Sequence, residues 1–118
     1  MANRQSHVSV KYTSGVQVVE FAERKILEEL SISEIGEELA KLVALGGKAK
    51  LLLSFKNVEH LSSAALGMLI TLNRQVEQAK GELRLADISP PIYEVFKITR
   101  LNKLFKICAT TEEAMESF

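Results

Sequence analysis

The stretch Lys50–Gly67, KLLLSFKNVEHLSSAALG, decides the fold. Leu51-Leu52-Leu53 is a continuous apolar run, too short for a helix between its flanks, and such a run reads as a central strand covered on both faces. A polar loop through Lys56 and Asn57 leads to Ser62, after which Ala65, Leu69, Leu72, Val76 and Ala79 recur on one helical face until Gly81 closes the helix. Leu83, Leu85 and Ile88 mark the next strand. A strand, helix and strand in that order form a parallel unit with a right-handed crossover.

Upstream, Val8, Val10 and Tyr12 share one parity over His7–Thr13, which predicts a half-buried strand. Ser14-Gly15 supplies a tight turn into a second strand, Val16 to Phe21, so the pair reads as a hairpin. Val18 and Val19 break the alternation, which implies either a bulge or burial on both faces. Residues 22–30 read as a connection. Ser31 with Glu34 forms a capping-box pattern, and Ile32, Ile35, Leu39, Leu42 and Val43 follow on one face of a first helix that Gly46-Gly47 would end.

Downstream, Ser89-Pro90-Pro91 is a helix start with serine as cap and proline in the first turn, and Ile92, Val95 and Phe96 are expected to face the core. Leu104 to Ala109 reads as a short last strand. Thr110 with Glu113 opens a C-terminal helix carrying Met115 and Phe118. The order β-β-α-β-α-β-α-β-α predicts an α/β fold over residues 1–118 as a single domain. It has a mixed central sheet of four to five strands and about four packing helices.

Composition narrows the function. The chain has 118 residues, 47% hydrophobic and 25% charged, the balance of one globular domain that buries about two thirds of its unfolded surface. Formal charge is +0 and tryptophan is absent, so neither a global field nor a stacking platform points to nucleic acid. Cys108 is the sole cysteine, which excludes an internal disulfide and suits a reducing compartment. Met1 to His7 is polar, and no apolar run is long enough to span a bilayer. The expected location is the cytoplasm.

The chemistry to be explained is the pair of hydroxyls at Ser62 and Ser63, delivered by a buried strand to a helix start. Ser62 as N-cap would satisfy a backbone N–H and leave Ser63 in the first turn facing solvent. Ala64, Ala65 and Gly67 are small enough to let another surface approach, and Leu66 and Met68 can add apolar contact. A phosphate on Ser63 would add nearly two negative charges and disrupt an apolar or acidic interface. Read without any resemblance, the same residues also suit a plain helix cap.

This segment resembles the signature of the STAS family, the domain of anti-sigma factor antagonists and of sulfate transporter tails, in which an Asp-Ser-Ser-or-Thr-Gly-Leu-Gly sequence opens a helix. Setting Leu66-Gly67 on the family's Leu-Gly places Ser63 on the serine that a partner kinase phosphorylates, and Val58 on the valine of the preceding loop. The similarity extends to Glu82-Leu83-Arg84-Leu85 and to Leu101–Ile107, and it implies a STAS-like fold for the whole chain. Three positions depart from the pattern: Ser62 stands for the acidic residue, Ala64 for the second hydroxyl and Ala65 for the first glycine. Ser62 is therefore a rival phosphoacceptor.

The resemblance implies an anti-sigma factor antagonist that acts in transcription by partner switching. When unphosphorylated it would bind an anti-sigma factor that is also a serine-protein kinase of the histidine-kinase ATPase type, and phosphorylation of Ser63 would release it. The contact surface would run through His60, Leu61, Ser62, Ser63, Ala64, Ala65, Leu66, Gly67 and Met68. No cofactor is implied, because the nucleotide belongs to the partner. The alternative of a different class is an unphosphorylated STAS scaffold or accessory subunit in a stress-signalling or lipid and anion transport complex.

Enzymatic readings are weaker. Ser63, His60 and Asp87, the only aspartate, would have to assemble as a triad, yet there is no Gly-x-Ser-x-Gly elbow. His7 and His60 lack metal-ligand spacing and are expected at the surface. Lys97, Arg100, Lys103 and Lys106 form a basic cluster expected to be a solvated face, and Cys108 is expected in the core.

Overall fold

A computed structural model describes residues 7–44 and 49–118. The hairpin forms as β1 (Val8–Thr13) and β2 (Val16–Phe21), paired antiparallel in unbroken register from Val8 opposite Phe21 to Thr13 opposite Val16. Ser14 and Gly15 both take positive φ, 51° and 81°, which matches the right-handed twist of the flanking strands. The irregularity at Val18 and Val19 is therefore two-sided burial and no bulge is present.

Beyond the hairpin come β3 (Lys25–Ile26), α1 (Glu29–Ala44), β4 (Lys50–Ser54), β5 (His60–Leu61) and α2 (Ser63–Gln78). They are followed by β6 (Glu82–Ala86), α3 (Pro90–Ile98), a 3-10 turn at Leu101–Lys103, β7 (Lys106–Cys108) and α4 (Thr111–Glu116). The main sheet has five strands in the order β1-β2-β4-β6-β7, parallel except for the β1–β2 pair, so β4 is central as its leucine run predicts. Leu51 and Leu53 enter the large core beneath α1 and α2, while Leu52 points to the other face with Val16, Ala86 and Ala114.

Four expectations about the elements and their buried faces need correction. First, α1 begins at Glu29, and the amide of Ile32 donates to the carbonyl of Glu28 at 2.9 Å, so Ser31 lies inside the first turn and does not cap it. Glu34 serves a different partner, described below. Second, the connection 22–30 contains β3, which pairs in parallel with β5 through Lys25 opposite His60 and Ile26 opposite Leu61. Third, β1 is buried only at Val8; Val10 is 39% and Tyr12 72% exposed, because an edge strand has a neighbour on one side only. Fourth, Val95 lies outside the core formed by Ile92 and Phe96. The expected helix end at Gly46-Gly47 falls outside the described residues.

Two helix ends behave as their residues suggest. Thr110 caps α4 by accepting from the amide of Glu113 at 3.1 Å. At the end of α2, Lys80 takes φ 59° and the amide of Gly81 donates to the carbonyl of Val76 at 2.9 Å. Gly81 is needed for close approach, since a Cβ there would lie 2.5 Å from the carbonyl oxygen of Ala49.

The second face of the sheet is covered by α4, which a buried arginine holds down. From β6, Arg84 donates to Ser117 Oγ at 2.9 Å, to the Ser117 carbonyl at 3.0 Å and to Glu82 Oε1 at 2.8 Å. Its guanidinium also stacks 4.6 Å from the centre of the Phe118 ring. Cys108 is half-buried against this smaller cluster.

His7 is half-buried where the surface was expected. Its ring bridges Glu23 at 2.9 Å and Glu34 at 2.6 Å, and its backbone amide donates to Glu38. The hydrogen bond to Glu34 and the nearby Glu23 charge hold its pKa above the usual histidine value, against a smaller opposing effect of burial. A raised native pKa means the protonated ring favours the fold, so the contribution is complete below the ordinary histidine pKa of about 6.5 and is lost as pH rises through the native value. Accordingly, the melting temperature of wild type should exceed that of His7→Gln at mildly acidic pH, and the gap should close on the alkaline side. A gap independent of pH would contradict this.

Candidate functional site

The loop between β4 and α2 is held at both ends. Phe55 continues the sheet, its amide donating to the carbonyl of Ala86 at 2.9 Å, and its ring packs 5.0 Å from that of Phe21. Val58 is buried and its amide returns to the carbonyl of Phe55. The amides of Glu59 and His60 both donate to the carbonyl of Arg24, and that of Ser62 donates to Ile26. The β3–β5 pair thus clamps the approach to α2 onto the segment between β2 and α1.

At the helix start Ser62 takes an extended conformation, φ −83° and ψ 168°, and its Oγ accepts from the amide of Ala65 at 3.1 Å. This is the N-cap geometry that its position predicts. Ser63 is the first helical residue and is exposed, with no hydrogen bond to its hydroxyl among the described residues. It sits at the positive end of a 16-residue helix that carries no acidic side chain in its first turn. Unpaired backbone N–H groups and the helix dipole make such a position favourable for an added anion.

The neighbouring residues divide between core and surface. Ala65 and Leu66 are buried, and Met68 is half-buried against α1, where a Cβ on Gly36 would come 3.2 Å from Met68 Cγ. Leu66 and Met68 thus serve internal packing. Ala64 and Gly67 are exposed, and a Cβ built on Gly67 would meet nothing within 4 Å. Glycine inside a helix costs about 0.5–1 kcal/mol relative to alanine. No internal contact requires Gly67, so its absent side chain leaves open surface one turn beyond Ser63.

Next to this surface lies a groove of about 190 Å³ lined by Glu59, His60, Leu61, Leu66, Pro91, Ile92 and Val95. It joins the loop before α2 to α3, whose outer side exposes Val95 at 39% and Ile98 at 78%. Sequence reasoning missed Val95 as a surface residue. The available signal was that Ile92, Val95, Phe96 and Ile98 are too many apolar residues for one face of a nine-residue helix.

The rival constellations do not assemble. Asp87 Oδ2 accepts from the hydroxyls of Ser54 and Thr111, which turns the carboxylate toward α4, and His60 is exposed. No group of three or more His, Cys, Asp or Glu side chains that could hold a metal ion occurs among the described residues. Lys97 pairs with Glu94 at 3.2 Å, and Arg100, Lys103 and Lys106 are exposed. No helix among the described residues is long and apolar enough to cross a membrane.

A five-stranded mixed sheet packed by four helices, with a clamped loop that leads to a serine at the start of the second helix, defines the α/β class of this domain. Residues 7–114 match the model of the STAS domain, and the chain belongs to that family. Among curated relatives, a putative anti-sigma factor antagonist, BtrV of Bordetella bronchiseptica, is 27% identical over 93 residues, covering 79% of each chain. Among solved structures, an anti-sigma-factor antagonist (STAS) domain protein from Planctomyces limnophilus superposes with a TM-score of 0.85 at 19% identity, covering 93% of this chain and 96% of that one. The Bacillus cell fate determinant SpoIIAA in its phosphorylated form gives 0.69 at 19% identity, covering 93% and 97%. Both structural likenesses concern the fold.

Proposed function

We propose that the chain is an anti-sigma factor antagonist of the partner-switching kind, acting in the cytoplasm as a binding module without catalysis of its own. In its unmodified form it docks an anti-sigma factor through the start of α2 and the adjoining groove, and so frees a sigma factor for transcription. The bound partner, an ATP-using serine kinase of the histidine-kinase ATPase type, phosphorylates Ser63 and the complex dissociates. The observation that carries this reading is the exposed, unbonded Ser63 hydroxyl at the positive end of α2. The likeness to a putative anti-sigma factor antagonist supports the antagonist part of this reading.

Ser62 is the weaker acceptor. Its oxygen is engaged by the amide of Ala65, and withdrawing it costs the cap, about 1 kcal/mol. Incubation with the cognate kinase and ATP, followed by intact mass and peptide mapping, should show one phosphate on Ser63 and none on Ser63→Ala. Phosphate found on Ser62 instead would move the switch by one residue. The absence of any phosphate would favour a scaffold or transport accessory role, a reading supported by the lack of a carboxylate at position 62.

A further inference from the structure

We propose that the corner of the molecule formed by the end of α3 and the turn before β7 docks on anionic phospholipid bilayers, with Ile98 and Leu104 dipping between headgroups that Arg100, Lys103 and Lys106 bind. From Lys97 to Lys106 the chain carries four basic side chains and no acidic one, in a protein whose formal charge is +0. The nearby carboxylates are already engaged, Glu94 by Lys97 and Glu82 on the neighbouring strand by Arg84. Arg100, Lys103 and Lys106 are exposed, and their side chains form no hydrogen bond or ion pair among the described residues.

The fold does not account for these side chains. Arg100 takes φ 62° and ψ 17°, a left-handed conformation that favours glycine, and its side chain makes no polar contact that would offset the strain. Ile98 is 78% and Leu104 45% exposed. The turn folds the chain back so that the Phe105 ring packs 5.9 Å from that of Phe96. Leu104 and Lys106 flank Phe105, and Ile98 lies just beyond Phe96, so the apolar and the basic side chains share one corner.

A bilayer is the occupant because the corner combines two chemistries on a surface outside the grooves. Neither the groove beside Ser63 nor that between α1 and α2 includes Ile98, Leu104 or the three unpaired cations. A rigid acidic protein would need a matching pocket for a side chain as prominent as Ile98, and a nucleic-acid backbone offers nothing apolar. An anionic bilayer accepts both, since its headgroups attract the cations and its acyl boundary receives aliphatic side chains. The main sheet is parallel from β2 to β7; Ser63 follows the C-terminal end of β4, and the basic corner precedes the N-terminal end of β7. The two surfaces therefore lie at opposite ends of the sheet, and a membrane-bound molecule leaves Ser63 open.

Each Lys or Arg at an anionic surface contributes a factor of roughly five in affinity, so three unpaired ones give a preference of roughly 100-fold for anionic over neutral vesicles. Cosedimentation of the full chain with mixed phosphatidylglycerol and phosphatidylcholine vesicles should show binding that falls as salt rises, with little on phosphatidylcholine alone. Arg100→Gly combined with Lys103→Gln should lower the binding constant roughly 25-fold. Its melting temperature should hold or rise, because glycine relieves the left-handed position. Should that variant misfold, Lys103→Gln with Lys106→Gln takes its place with the same expected loss. Ile98→Ser, at unchanged charge, should lower binding several-fold. Equal binding to neutral vesicles, or binding unchanged in the folded double variant, would overturn the proposal. So would failure to bind anionic vesicles, which would assign the corner to an acidic protein surface instead.

Discussion

Ser63→Glu is expected to weaken binding of the anti-sigma partner by on the order of 100-fold, equivalent to about 2.7 kcal/mol. The glutamate brings a charge to the surface formed by Ala64, Gly67 and the apolar groove, where docking would strip its water without supplying a counter-ion. Stability should move the other way. An acidic group in the first turn of α2 interacts favourably with the helix dipole by about 0.3–1 kcal/mol, so the melting temperature should hold or rise slightly. That opposition separates loss of docking from loss of fold. Ser63→Ala should bind like wild type, and equal losses in both variants would mean that the hydroxyl itself, rather than added charge, is what the partner reads.

Phe96→Ala is expected to destabilise the domain by about 3–5 kcal/mol. The ring is fully buried, packs edge-on 5.9 Å from Phe105, and joins α3 to the turn before β7. Against a total stability of about 5–15 kcal/mol, that loss removes a large share, and a drop in melting temperature of about 10–20 °C should follow. Because Ile92 and Val95 line the groove from the same helix, partner affinity should fall with it. Val95→Ala, in contrast, should reduce affinity with little change in stability, since Val95 is already 39% exposed. Chemical denaturation of the two variants beside a binding titration would check both statements.

What the sequence reveals tracks how many residues carry each signal. Leu51-Leu52-Leu53 announces a strand buried on both faces because no partial burial would tolerate it, and Ser14-Gly15 announces its turn because few residue pairs accept positive φ. The β3–β5 clamp is invisible for the opposite reason, since two-residue strands have no period and are defined only by the partner they meet. Glu34 satisfies a capping pattern at short range, but the structure commits it to His7, which lies 27 residues away. Val95 and Tyr12 each fit an apolar pattern whose covering layer ends before reaching them.

At the site, the cap at Ser62 and the exposure of Ser63 follow from local helix-start chemistry and were legible. Residue periodicity could not show that Leu66 and Met68 pack inward or that α3 supplies the far wall of the groove. Those facts depend on how α2 sits against α1 and β6, which is set by contacts distant in sequence.

The most direct measurement is calorimetric titration of one purified anti-sigma partner with the unmodified chain and with the chain phosphorylated stoichiometrically at residue 63. Tight binding of the first and its near-complete loss in the second is the predicted outcome. Equal affinity for both forms would contradict the account.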